Sequence, residues 1–249
     1  ASATDAIGMA MRFIMAGDAD MMICGGTEAS VTPLTIAGFA NMRALTQSCD
    51  EPTKASRPFE KDRNGFVLGE GSGMLVIETE SHAKKRGATI LAELAGYGAT
   101  DDTFHVTQPA MGGTGALKAM ERAIKDAGLE TTDIDYINAH GTSTLFNDRN
   151  ESAAISTLFG DHSSTLKVSS TKSMTGHLLG AAGGIEAVAA VKTIQDQLLP
   201  PTINYDNPDP DCTLDYVPNT AQTHEVNAVL SNTFGFGGHN AVICIRKYD

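Results

Sequence analysis

Lys172-Ser-Met-Thr-Gly-His-Leu-Leu-Gly-Ala-Ala-Gly-Gly184 is the stretch on which the reading of this chain turns. It follows a short apolar strand at 166–170 and leads into the helical spacing Ile185, Val188, Ala189, Val191 and Ile194. Thr175 or Gly176 is expected to cap that helix, with His177 in its first turn. The run Gly180, Ala181, Ala182, Gly183, Gly184 weakens a helix, so another backbone is expected to pack closely against it. A histidine at a helix N-terminus meets the positive end of the dipole, which favours neutral imidazole. Such a ring can donate a hydrogen bond to developing negative charge, or it can merely satisfy local backbone. The rest of the chain decides.

The chain has 249 residues, 41% of them hydrophobic, with 25 glycines and no tryptophan. That is enough to bury a sizeable core in one large or two modest domains. No apolar run is long enough to span a bilayer, and no charged-then-apolar leader opens the chain. Cys24, Cys49, Cys212 and Cys244 show no CxxC spacing, so neither a zinc site nor a disulfide framework is expected, and a reducing cytoplasm fits. A net charge of −12 weighs against nucleic acid or anionic membrane as partners. The opening, Ala1-Ser-Ala-Thr-Asp-Ala-Ile-Gly8, lacks an initiator Met and starts inside a helical pattern, so the chain reads as cut or cleaved.

In order, the pattern predicts a helix over 2–16 ended by Gly17 and a buried strand over 20–24. A turn is expected at Gly25-Gly-Thr-Glu28, followed by a long irregular segment over 29–64 that carries Arg43, Lys54, Arg57, Lys61 and Arg63. The cluster Gly69-Glu-Gly-Ser-Gly73 also reads as a turn, since neither glycine cluster has the strand–loop–helix context of a nucleotide-binding loop. A strand over 73–77 and a helical turn over 81–86 close a first unit, 1–86. The second, 87–249, contains expected strands at 89–94, 135–139, 166–170, 214–217, 228–230 and 241–245, with helices at 113–127 and through Glu151, Ile155 and Leu158. Alternating strands and helices with near-continuous apolar strands indicate an α/β domain whose sheet is covered on both faces. The ends of the two units echo each other as helix, strand, glycine turn, strand. That register sets His177 opposite the position before Ala1, a natural seat for a thiolate.

His140 ends a predicted strand, where open α/β sheets place ligands, and Thr142, Ser143 and Thr144 crowd hydroxyls beside it. Either this turn caps the next helix, or it joins His177 in a site. Lys172 is expected near the same strand ends, and a buried lysine needs a partner, for which Glu151 is best placed. Phe234-Gly-Phe-Gly-Gly-His239 joins two strands, as a packed hairpin turn or as a movable wall carrying Phe236.

Taken together, Asn138-Ala-His-Gly-Thr-Ser-Thr144, residues 169–183 and Ser231-Asn-Thr-Phe-Gly-Phe-Gly-Gly-His-Asn240 resemble the β-ketoacyl-[acyl carrier protein] synthases, in particular the type II condensing enzymes of fatty-acid elongation. Arg57-Pro-Phe-Glu-Lys-Asp-Arg-Asn-Gly-Phe-Val-Leu-Gly-Glu-Gly71 and Gly25-Gly-Thr-Glu28 match too. The resemblance covers the whole chain. It implies a thiolase-like fold, a layered α-β-α-β-α sandwich of two related halves, here incomplete: 1–86 would be the rest of the N-terminal half and 87–249 the whole C-terminal half. It also implies a homodimer, acyl carrier protein with its phosphopantetheine-linked groups as partner, and no external cofactor or metal. In the family a nucleophilic cysteine stands directly before the residues matching Ala1–Gly8. The chain alone would then lack the nucleophile and need its N-terminal half for condensation.

Carried over, His140 and His177 would be the catalytic histidines that bind the malonyl thioester carbonyl and stabilise the enolate. Lys172 would organise the site electrostatically with Glu151. Thr142 and Thr144, with Thr107, would contact the pantetheine or malonyl portion. Phe236 would gate the pocket beside Phe234, Phe39 would line the acyl pocket, and Arg43 would lie near the carrier-protein surface. Leu145 replaces a common proline, and His239 a common threonine. A chain-length-factor-like subunit would be expected to lose the histidines, and a thiolase to carry a cysteine in the C-terminal glycine turn. Neither pattern is present.

Overall fold

The structure is a computed structural model, and residues 1–48 and 50–248 are described. Cys49 lies outside the described residues. The elements are α1 (Ser2–Ala16), β1 (Met21–Glu28), α2 (Pro33–Asn41), β2 (Gly71–Glu78), α3 (Glu80–Lys85), β3 (Glu93–Asp101), α4 (Thr114–Asp126), β4 (Tyr136–Asn138), α5 (Leu145–Phe159), β5 (Lys167–Ser169), α6 (Lys172–Thr175), α7 (Ala182–Asp196), β6 (Leu198–Leu199), β7 (Gln222–Thr223), β8 (Ala228–Phe234) and β9 (His239–Arg246).

A mixed sheet runs β3-β9-β8-β4-β5, antiparallel on the β3 side and parallel from β8 to β5. Side chains alternate across it: Ile137, Leu230, Val242 and Cys244 join the core under α4 and α5, while Tyr136, Val229, Ile243 and Ile245 join the core under α1 and α7. Both faces are buried, as near-continuous apolar strands require. A second ladder, β1 with β2 antiparallel, packs on the far side of α1 and α7. Sheet, helices, sheet, helices are thus four consecutive layers of the expected thiolase-like α-β-α-β-α sandwich. The echo in the sequence corresponds to two helices packed side by side, α1 and α7, each followed by an antiparallel strand pair.

Glycine explains most of the differences from the sequence reading. Gly25 and Gly26 are not a turn but lie inside β1, and β2 begins at Gly71 within the second glycine cluster. A Cβ on Gly73 would lie 2.2 Å from the backbone of Gly184, and one on Gly183 would lie 1.9 Å from Thr4 Oγ1. Bare strands and a bare helix entrance therefore meet backbone to backbone, the close approach expected for Gly180–Gly184. For the same reason β3 is displaced from 89–94 to Glu93–Asp101: a Cβ on Gly96 would lie 2.2 Å from Ala123 O of α4. The segment over 29–64 is not wholly irregular, because Pro33 opens α2 behind a Thr32 side-chain cap. Residues 214–217 form only an isolated bridge to β5 through Asp215.

Candidate active site

His140 leaves the C-terminal end of β4, and the chain then turns sharply at Gly141 (φ 35) and Ser143 (φ 69) to enter α5. A Cβ on Gly141 would lie 2.5 Å from Ser170 Cβ, so only glycine fits. Glu151, two turns into α5, ties this corner together. Its Oε1 accepts the His140 N–H and its Oε2 the Gly141 N–H, both at 2.8 Å, and the Asn232 side-chain amide adds a third bond at 3.1 Å. Burial pushes the Glu151 carboxyl up to about 7, against the pull of these N–H donors. Glu151→Ala would orphan three buried donors at roughly 1–3 kcal/mol each. A loss of several kcal/mol is expected in urea unfolding, and a loss under about 1 kcal/mol would mean the corner is held by other contacts.

His177 does not sit in the first turn of a helix. α6 ends at Thr175, Gly176 (φ 70, ψ −174) reverses the chain, and His177 runs extended beside Leu68. Its N–H donates to Val67 O at 2.7 Å and its carbonyl accepts from Gly69 N–H at 3.0 Å; α7 begins only at Ala182. The dipole argument therefore does not apply directly. Instead the Leu179 N–H donates to His177 Nδ1 at 3.2 Å. A backbone N–H can only donate, so Nδ1 is bare and the ring proton is on Nε2.

The two imidazoles are edge-to-face, 5.3 Å between centroids at 86°, and both are pushed well below the usual histidine range, first by burial and then by the Lys172 ammonium. Each is neutral and can offer one N–H. His140 Nδ1 has no hydrogen-bond partner among the described residues, so its own geometry leaves the tautomer open.

Lys172 is not paired with Glu151. Its ammonium forms an ion pair with Glu186, at 2% side-chain exposure for both partners. Glu151 is already engaged by backbone N–H groups, whereas α7 brings Glu186 back against the start of α6. Glu186 was legible only as the one acid in the apolar stretch of α7 ahead of Lys192. That helix buries Gly183, Glu186, Ala187, Ala190 and Ile194 and turns Val188 outward, one step round from the face expected. Phe66 is likewise absent from the sequence reading, although its ring lies edge-on to His177 at 5.3 Å. Its place among the residues of the Arg57–Gly71 motif was its one signal.

A cavity of about 420 Å³ opens onto this pair. His140, His177, Thr142, Thr144, Thr107, Phe39, Phe234, Phe236 and Arg43 line it together with Ala1, while Lys172 and Glu151 lie behind its wall. The Thr142 and Thr144 hydroxyls bond each other at 2.8 Å. Phe234 approaches His140 at 5.9 Å, and Phe236 leans on Phe39 at 6.4 Å. Phe236 is 48% exposed and flanked by Gly237 (φ 82) and Gly238 (φ 85), so it has neither a packed pocket nor stiff neighbours. Among the described residues no group of three or more His, Cys, Asp or Glu could hold a metal ion. Cys24, Cys212 and Cys244 are free and buried. No helix among them is long and apolar enough to cross a membrane.

Two family models match the chain: "Beta-ketoacyl synthase, N-terminal domain" over residues 1–83 and "Beta-ketoacyl synthase, C-terminal domain" over residues 91–206. Among curated relatives, 3-oxoacyl-[acyl-carrier-protein] synthase 2 of Synechocystis sp. is 54% identical over all 249 residues, and its Staphylococcus aureus namesake is 53% identical. The chain spans 60% of the length of each. A solved type II polyketide synthase ketosynthase, in complex with its acyl-carrier protein and bound to the hexaketide, superposes with TM-score 0.97 at 42% identity, over 99% of this chain and 61% of that one. A beta-ketoacyl synthase from Burkholderia phymatum superposes with TM-score 0.93 at 39% identity, over 100% of this chain and 60% of that one. With matched N- and C-terminal domain models, relatives above 50% identity and the layers described above, this chain belongs to the β-ketoacyl synthase family.

Proposed function

We propose that this chain supplies the decarboxylating part of a type II β-ketoacyl-[acyl carrier protein] synthase that elongates fatty acids. The observation that carries this is the pair of neutral, perpendicular imidazoles, His140 buried and His177 half-buried, that line one largely apolar cavity. Two neutral imidazoles side by side on one cavity, each able to offer an N–H, suit a thioester carbonyl that becomes an enolate oxygen. The carboxylate C–C bond of the malonyl thioester breaks and CO₂ leaves. The electron pair moves onto the thioester carbonyl, where His140 and His177 hold it. The enolate carbon then attacks an acyl–cysteine thioester, the C–S bond breaks, and the cysteine thiolate is released with a product two carbons longer.

In this reading the cysteine stands directly before Ala1 in the full-length protein, residues 1–86 complete its N-terminal half, and 87–249 form the C-terminal half. Lys172 keeps both imidazoles neutral, Thr142 and Thr144 hold the pantetheine arm with Thr107 at its side, and Phe236 gates the cavity between nucleophile and malonyl group. Phe39 lines the acyl side. Arg43 faces acyl carrier protein, the kind of partner seen with the hexaketide-bound ketosynthase. We place the enzyme in the cytoplasm as a homodimer.

The test is a condensation assay with the full-length protein, an acyl thioester and malonyl-[acyl carrier protein]. One CO₂ and one β-ketoacyl thioester per acyl-enzyme consumed are expected, with the acyl group on the cysteine by mass spectrometry. CO₂ release with no acyl-enzyme and no extended product would instead support a chain-length-factor-like subunit.

A further inference from the structure

The turn that carries Thr142 and Thr144 is strained, with Ser143 at φ 69; Glu151 holds its start, and residues 57–65 run along the back of Ser143–Leu145. Gly65 N–H donates to Ser143 O at 3.0 Å, and Arg57 N–H donates to Ser143 Oγ at 3.0 Å. Arg63 continues the row. Its Nε–H reaches Thr144 O at 3.2 Å and its Nη2–H reaches Leu145 O at 3.3 Å. The carbonyls of three successive residues, 143 to 145, therefore each accept a bond from this segment, and Thr144 O also accepts the Asp148 N–H of α5 at 3.3 Å.

Arg63 is itself immobilised. Its side chain has no exposed surface, Nη1 donates to Asp209 Oδ2 at 2.6 Å and to Glu60 O at 2.7 Å, and Nε lies 3.3 Å from Asp148 Oδ2. Asp148 also accepts Phe59 N–H at 2.9 Å and a backbone bond from Thr142. A fully desolvated guanidinium spread over two carboxylates and three carbonyls is a rigid fork, and a lysine ammonium cannot reproduce it.

We infer that Arg63 is a positioning residue for the substrate arm: by fixing the Thr144 and Leu145 carbonyls it sets where the Thr142 and Thr144 hydroxyls stand. This rests on the proposed role of those hydroxyls in holding the pantetheine chain. Arg63 does not itself line the cavity and reaches it only through the Thr144 and Leu145 carbonyls, so it acts through the turn and not on the reacting atoms.

Malonyl decarboxylation by the full-length synthase tests it with two substrates: malonyl-pantetheine, and the malonyl thioester of ethanethiol, which lacks the arm. Arg63→Lys is expected to raise KM for malonyl-pantetheine about tenfold, with kcat and all constants for the short thioester changed by less than about twofold. Asp209→Asn, which loosens the same fork but leaves it in place, is expected to move KM in the same direction by less. It carries the test if Arg63→Lys does not fold. Equal losses on both substrates, or an unchanged KM for malonyl-pantetheine, would overturn the inference. Thr142→Val and Thr144→Val separate the two layers of the argument. If neither raises KM for malonyl-pantetheine, the threonine reading fails and takes this inference with it; if they do and the Arg63 and Asp209 variants do not, only this inference fails.

Discussion

Malonyl decarboxylation by the full-length synthase should fall about 10²–10³-fold when either His140 or His177 is replaced by alanine, as for loss of one donor to a developing oxyanion. The double variant should lose more than either single one but less than the product of the two, because both rings serve one oxygen. The geometry makes the two contributions distinct. His177 has its tautomer imposed by the Leu179 N–H, whereas His140 is held through its backbone by Glu151. His177→Asn and His140→Asn retain an N–H donor and should keep part of the rate. Single-turnover CO₂ release is the measurement. An undiminished rate in the double alanine variant would remove both residues from the chemistry.

The second large effect is expected at Lys172. Lys172→Met leaves the Glu186 carboxylate buried without its cation, and breaking a buried pair in this way costs about 3–5 kcal/mol. Glu186→Leu together with Lys172→Met removes both charges and should recover much of that stability in urea unfolding. Activity should not recover with it. Lys172 is the leading charge that lowers both imidazoles, after burial, so the double variant should bring both histidines back toward their ordinary range. The sign is definite. A folded-state histidine held low stabilises above its unfolded value of about 6.5, and that stability is lost as pH falls below it. The double variant should therefore be less sensitive to acid between pH about 6.5 and 5 than the parent. A parallel recovery of stability and rate would show that Lys172 is only a structural counter-ion.

Much of this site is legible in the amino-acid sequence because its backbone demands are severe. His140 at a strand end followed by Gly141, and Gly176 before His177, are places where few residues fit. Two dense motifs then mark where the chain returns to one crevice. The apolar runs Ala228–Leu230 of β8 and Ala241–Ile245 of β9 are visible because both faces of the sheet are buried there.

Other features are hidden for physical reasons. Glycine inside β1 and β2 has the same sequence signature as a turn, and only the presence of Gly180 and Gly184 across the layer shows that it permits packing. Pro33 breaks a pattern in the middle of a helix but starts one at its first position. The partner of Lys172 depended on which carboxylate remained free. Glu151 is close in the motif but is engaged by two backbone N–H groups, and that is a property of the turn's three-dimensional path. Arg63 stood out as one basic residue among several in an acidic chain, and nothing in its neighbours reveals that it is buried.

The central claim is that His140 and His177 are neutral donors, with His177 protonated on Nε2. Imidazole ¹⁵N resonances of the full-length protein, followed from pH 8 to 5, test it most directly. The account predicts a pyridine-like Nδ1 and a protonated Nε2 for His177, with neither ring titrating as pH passes about 6.5. Titration of either ring near 6.5, or a proton on His177 Nδ1, would contradict it.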